Sequence, residues 1–203
     1  VQAFRQLLGR SAGRTPVAQV RELDRLRQGN PDLRGQRLAV GQFGSSGALI
    51  SALSRILRAS GAHVLVLDNP DEAAQATTAN DFDAVMYLGL KIENSSHSQT
   101  NYFSTPGFLS EGGYRLAHHC ATGLDHALRS SYVPPTETAG RQVPVLRQTR
   151  MPAVLCTLAP PSAVVLATAE IADALAMAIT RWVANPAADP DQAPPVGGGG
   201  PPP

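Results

Sequence analysis

Five histidines, two cysteines and a single lysine, Lys91, are the residues here that by type could bind a metal, act as a nucleophile or carry a fixed cation. His118, His119 and Cys120 are consecutive, and on a helix neighbouring residues diverge by about 100°. They therefore cannot converge on one metal ion. Cys120 falls on an apolar stripe, which leaves the two histidines exposed or half exposed. His63 opens a strand expected to be buried, His126 faces outward, and His97 follows the strand that carries Glu93. Lys91 and Glu93 are two residues apart on that strand, so both point to one face of it. They read as a structural ion pair, with a ligand-contacting pair as the alternative. The stretch from Thr138 to Ala169 holds Arg141, Arg147 and Arg150 and no acidic residue. Guanidinium groups take carboxylate or phosphate bidentately, so this stretch is either a local anion site or a solvated basic edge.

These side chains must be positioned by a chain of 203 residues, 43% hydrophobic and 16% charged, long enough to bury one core. A net charge of +1 gives no electrostatic reason to expect a nucleic-acid or membrane partner. No stretch is apolar for the ~20 residues of a membrane span. Cys120 and Cys156 are too few for a disulfide framework and sit in apolar patterns, as buried thiols do. No signal peptide is visible, which favours the cytoplasm over the cell envelope. The chain begins at Val1 and not at methionine, which implies an upstream part.

Val1–Gly9 and Val17–Gln28 are apolar at helical spacing and read as a helical lead-in over 1–35. Val1–Gln6 resembles the last helix of a small peptidoglycan-binding repeat. From Gln36 strand and helix alternate. Arg37–Val40 is a strand, followed by the glycine-rich turn Gly41–Gly47, which is neither a dinucleotide fingerprint nor a Walker loop. Ala48–Ala59 is an amphipathic helix stopping at Ser60-Gly61. Ala62–Asp68 and Ala84–Ile92 read as strands buried on both faces. Between them Asn69-Pro70-Asp71-Glu72 starts a short helix to about Ala79. Ser110–Arg129 is a long helix, Ala153–Leu158 a strand, and Thr168–Ala184 a closing helix. Residues 185–203, rich in Pro and Gly, have little to bury and read as a disordered tail. The pattern predicts a three-layer α/β domain over 36–184, a mostly parallel twisted sheet with helices on both faces.

Several segments in this order resemble the zinc-dependent N-acetylmuramoyl-L-alanine amidases. The most specific is Leu146-Arg147 followed by Met151-Pro152-Ala153-Val154-Leu155. The helix with Tyr114-Arg115-Leu116-Ala117, the helix–glycine–strand unit Leu57–Asp68, the approach Ala79–Ala84 and the closing helix from Ile171 accompany it. The resemblance implies a catalytic zinc held by two His and one Glu, with a further Glu as base. At each of the four positions this chain has something else. The His-bearing turn is Val40–Ser45, with no imidazole, and Ser46-Gly47-Ala48 stands where the metal-binding Glu would open the helix. Lys91 occupies the second His position, and Thr157 that of the catalytic Glu.

The resemblance thus leads to an amidase-like domain of peptidoglycan metabolism with the zinc site lost, acting by binding or regulation. Regulators with inactivated amidase domains are known in that family. The expected partner is a peptidoglycan fragment or precursor, or a cell-wall synthesis protein, with Lys91, Glu93, Arg147 and Arg150 as candidate binding residues. Two rivals stand beside this reading: an active zinc amidase with its ligands elsewhere, and an unrelated flavodoxin-like binding domain.

Overall fold

The computed structural model describes Glu22, Asp24 and residues 28–185. The helix expected over Val1–Gly9, most of that over Val17–Gln28, and the tail beyond Asn185 lie outside the described residues. Glu22 and Asp24 are helical.

Strand β1 is Arg37–Phe43. It runs three residues past the end expected from sequence, because β3 (Met86–Ile92) continues beside it and pairs Gly41 with Gly89 and Phe43 with Lys91. The glycine at position 41 is a packing requirement. A Cβ there would collide with the hydroxyl of Tyr87 and the Oε1 of Gln75. Helix α1 (Gly47–Ala59) buries Leu49, Ile50, Leu53 and Leu57, and Gly61 beyond it takes φ +90°, a conformation that favours glycine.

β2 (His63–Leu67) corrects an expectation. It is an edge strand bonded to β1 alone, with His63 exposed and Val66 37% exposed, so its apolar run is covered only in part. Helix α2 (Glu72–Asp81) is capped by Asp71, whose carboxylate accepts from the N–H groups of Ala73 (2.8 Å) and Ala74 (3.4 Å). Asn69 instead receives the Asp71 N–H in the turn before it.

The second half holds elements with weaker sequence signals. These are β4 (Gln99–Thr105), the two-residue β5 (Phe108–Leu109), β6 (Glu137–Arg141), and the short helices α4 (Pro144–Gln148) and α5 (Pro161–Leu166). Helix α3 (Glu111–Ala127) is followed by a single 3-10 turn at Arg129–Ser131. β7 is Ala153–Leu158, and α6 is Thr168–Ala184.

The main path through the sheet is β2-β1-β3-β7-β4, with β6 on the far side of β4. β1, β2, β3 and β7 are parallel, while β4 runs antiparallel to β7 and parallel to β6. The sheet is mixed and mostly parallel, with helices on both faces. α1, α3 and α6 close one face over Leu38, Leu88, Leu116, Leu124 and Val154. α2 and α4 close the smaller core on the other face around Ala39, Ala76, Tyr87, Leu146 and Leu155. Cys120 on α3 and Cys156 on β7 are both fully buried in the larger core. The neighbouring Cys120 thiol and burial together push the Cys156 thiol well up.

Candidate functional site

β1 lies between β2 and β3, so the chain reverses its direction of winding at the β1–β3 junction. In open α/β sheets the carboxyl ends of the strands at such a junction form the usual ligand crevice. Phe43 and Lys91 sit there side by side. Register then extends the row across the sheet. Lys91 is opposite Thr157, Thr157 is opposite Gln99, and Gln99 is opposite Glu137. Paired residues in a sheet share a face, so five side chains from five strands form one line. Their neighbours Leu90, Cys156 and Thr100 point the other way and are fully buried. The row itself faces solvent or half faces it.

Two polar clusters stand on this row. The Lys91 ammonium contacts the Glu93 carboxylate at 2.5 Å, the ion pair expected from their spacing. On the other side, Glu137 Oε2 receives the Gln99 amide at 3.3 Å and lies 3.3 Å from His97 Nε2. Thr157 stands between the clusters. Two residues along β4, Asn101 is 6% exposed, and its Oδ1 is a buried acceptor with no hydrogen-bond partner among the described residues. Such a group is rare in a folded protein and is usually satisfied by a water or a ligand. Nearby loops are tied down from below. Ser46 Oγ donates to the Leu90 carbonyl (3.2 Å), and Ser98 Oγ bonds both the N–H and the C=O of Ala159.

The donors at this end of the sheet do not fit zinc. A zinc site needs imidazole, carboxylate or thiolate groups converging at about 2.0–2.3 Å. The ends of β1, β3 and β7 offer a phenyl ring, an ammonium already held by a carboxylate, and a hydroxyl. Among the described residues no three of His, Cys, Asp and Glu come together as a possible metal site. His118 and His119 are half buried on α3, and the His118 ring packs against Tyr114 with centroids 4.3 Å apart. Burial, then the charges of Arg181, His118 and Arg115, lower the His119 pKa.

Arg147 and Arg150 do not join Lys91 and Glu93. They line a cavity beside Val85 and Ala153, where β3 and β7 begin. Val85 and Lys91 are six strand residues apart, so the two places are separated by about 20 Å. Gln99, Asn101 and Glu137 were missed in the sequence, because every residue from His97 to Asn101 is polar and the run carries no alternation that would mark a strand face.

No protein-family profile matches this sequence, and no curated protein matches it. Solved structures do match the fold. The N-acetylmuramoyl-L-alanine amidase AmiC2 of Nostoc punctiforme superimposes with a TM-score of 0.58 at 16% identity, covering 74% of this chain and 98% of that one. An N-acetylmuramoyl-L-alanine amidase from Clostridium difficile 630 gives 0.59 at 14% identity, covering 75% and 98%. The CwlD amidase from Clostridioides difficile, solved in complex with the GerS lipoprotein, gives 0.52 at 13% identity, covering 73% and 98%. The chain thus has the amidase fold that its ordered motifs resemble. No helix among the described residues is long and apolar enough to cross a membrane.

Proposed function

We propose that this chain is a degenerate amidase-like domain of peptidoglycan metabolism, one that binds or regulates and does not hydrolyse. The observation that carries this reading is the register row Phe43–Lys91–Thr157–Gln99–Glu137, which joins the carboxyl ends of β1, β3 and β7 to the amino ends of β4 and β6. In this reading Lys91 stands at a zinc-ligand position and Thr157 at that of the catalytic carboxylate. A lysine there is a fixed cation that repels a divalent metal, and a threonine cannot take up the proton of an attacking water at neutral pH. Neither role survives.

What remains suits recognition. Lys91 and Glu93 offer a cation and an anion, Gln99 and Glu137 offer an amide and a carboxylate, and Asn101 Oδ1 is a buried acceptor on the same strand as Gln99. A peptide-bearing cell-wall fragment or precursor has the amides and carboxylates to meet them. A cell-wall synthesis protein is the other partner of this reading, and the lipoprotein complex of the CwlD amidase is a precedent for the fold.

Titration calorimetry with zinc, paired with muropeptide digestion, tests the proposal. The wild-type chain and Lys91→His should take up no stoichiometric zinc and release no peptide from muramic acid. Stoichiometric zinc uptake by the wild type, with muropeptide cleavage that a chelator abolishes, would establish the active-amidase alternative instead.

A further inference from the structure

The cavity at the opposite end of β3 and β7 has no part in the reading above. It has a volume of about 620 Å³, within the range of about 300–1,000 Å³ typical of small-molecule sites. Its walls are apolar, with Phe103, Phe108, Leu146, Met151 and Trp182 among them. Phe103 and Phe108 stack at a tilt with centroids 5.8 Å apart, and Trp182 is fixed by its indole N–H, which donates to the Gly112 carbonyl at 3.0 Å. These walls are built in and ordered by contacts of their own.

Two guanidiniums stand at the mouth. Arg147 and Arg150 are exposed, and among the described residues neither side chain has a hydrogen bond or carboxylate partner. Their backbone is held in place. Asn80 Nδ2 donates to the Gln148 carbonyl at 2.9 Å, and Asn80 Oδ1 accepts the Arg150 N–H at 2.8 Å. The Val145 N–H, in the first turn of α4, donates to Glu72 at 3.2 Å. The turn that carries the two arginines is therefore pinned to α2.

One acidic side chain already lies in the wall, and its hydrogen bonds are met locally. The Glu22 carboxylate receives the Ser110 hydroxyl at 2.7 Å, the Glu111 N–H at 3.2 Å and the Gly112 N–H at 3.3 Å. That arrangement occupies the N-terminus of α3 and leaves Arg147 and Arg150 as the cations that line the cavity among the described residues. Apolar walls with paired, uncompensated guanidiniums at the mouth complement one kind of ligand.

We propose that this cavity binds a small amphipathic anion, an apolar body seated between Trp182, Phe103 and Phe108 with a carboxylate or phosphate head held by Arg147 and Arg150. The site is independent of the Lys91–Glu137 row and lies about 20 Å from it along β3.

Trp182 is the single tryptophan of the chain and lines this cavity, so it is the one indole donor for energy transfer to a bound probe, and the arginine variant below ties that transfer to the site. The test titrates the full chain with a dansyl-tagged undecanoic acid and reads energy transfer from Trp182. Saturable transfer is expected. The methyl ester of the same probe, and the exposed-site variant Arg147→Gln/Arg150→Gln with the free acid, should each bind about tenfold more weakly or worse, one such factor being about 1.4 kcal/mol. Displacement by untagged undecanoate or by undecyl phosphate distinguishes the head group, and either one supports the site. The proposal is overturned if transfer does not saturate. It is equally overturned if the ester binds as tightly as the acid, or if the arginine variant with unchanged circular dichroism binds as the wild type does.

Discussion

At the start of α3 a carboxylate, a hydroxyl and two backbone amides share one set of hydrogen bonds around Glu22. Burial raises the Glu22 carboxyl more than Ser110 and the two amides lower it, so the native chain holds this proton more tightly than the unfolded one. The resulting stability is fully present below the unfolded carboxyl value of 4.5 and is lost as pH rises through the higher native value. Glu22→Gln keeps the shape and removes the charge. Its urea midpoint relative to wild type should therefore shift in the variant's favour between pH of about 4 and about 7. A difference that stays constant with pH, or moves against the variant, would show that the carboxylate is well solvated. Residue types alone picked out Lys91, Glu93, Arg147 and Arg150, because charge and spacing are written in the chain. They could not join Gln99 and Glu137 to Lys91, since that neighbourhood runs through three strand pairings.

Among the elements, β1 and α2 show how a glycine-rich stretch can be structural. Gly41 lies over a buried network in which Tyr87 donates to Gln75 Oε1 at 2.8 Å, and Gln75 Nε2 donates to the carbonyls of Gln42 (3.0 Å) and Asn69 (2.6 Å). The network ties α2 to the end of β1 and to Tyr87 near the start of β3. Gly41→Ala drives a methyl group into it and should cost about 1–3 kcal/mol in chemical denaturation, the usual range for overpacking. Gly44→Ala is a useful contrast, because its Cβ meets nothing within 4 Å and its penalty comes from φ +66° alone. Equal costs at the two positions would mean that crowding at Gly41 is relieved by a shift of Tyr87. Helices α1, α3 and α6 were legible because their apolar residues recur at helical spacing over 13–17 residues. β4 and β6 were not. QTNYFST and ETAGR carry little apolar signal, and the strands form because their neighbours offer hydrogen-bonding edges.

For the whole molecule, stability rests on the larger core, where α3 and α6 pack on each other and on the sheet. Leu124 on α3 is fully buried there, and Leu124→Ala should lower the unfolding free energy by about 2–5 kcal/mol in a urea melt. A loss well below about 1 kcal/mol would mean that the helix pair closes over the gap. Two sites with different prospects lie at opposite ends of β3 and β7, the row at their carboxyl ends and the arginine-rimmed cavity at their beginnings. The sequence by itself determined the alternation of strand and helix, the apolar faces and the order of the amidase-like motifs. Those follow from residue type and local periodicity. Only the tertiary structure decided which polar side chains share a face and which cations stay unpaired. Register between strands is a non-local property, and a slip of one residue would turn every side chain of the row to the opposite face.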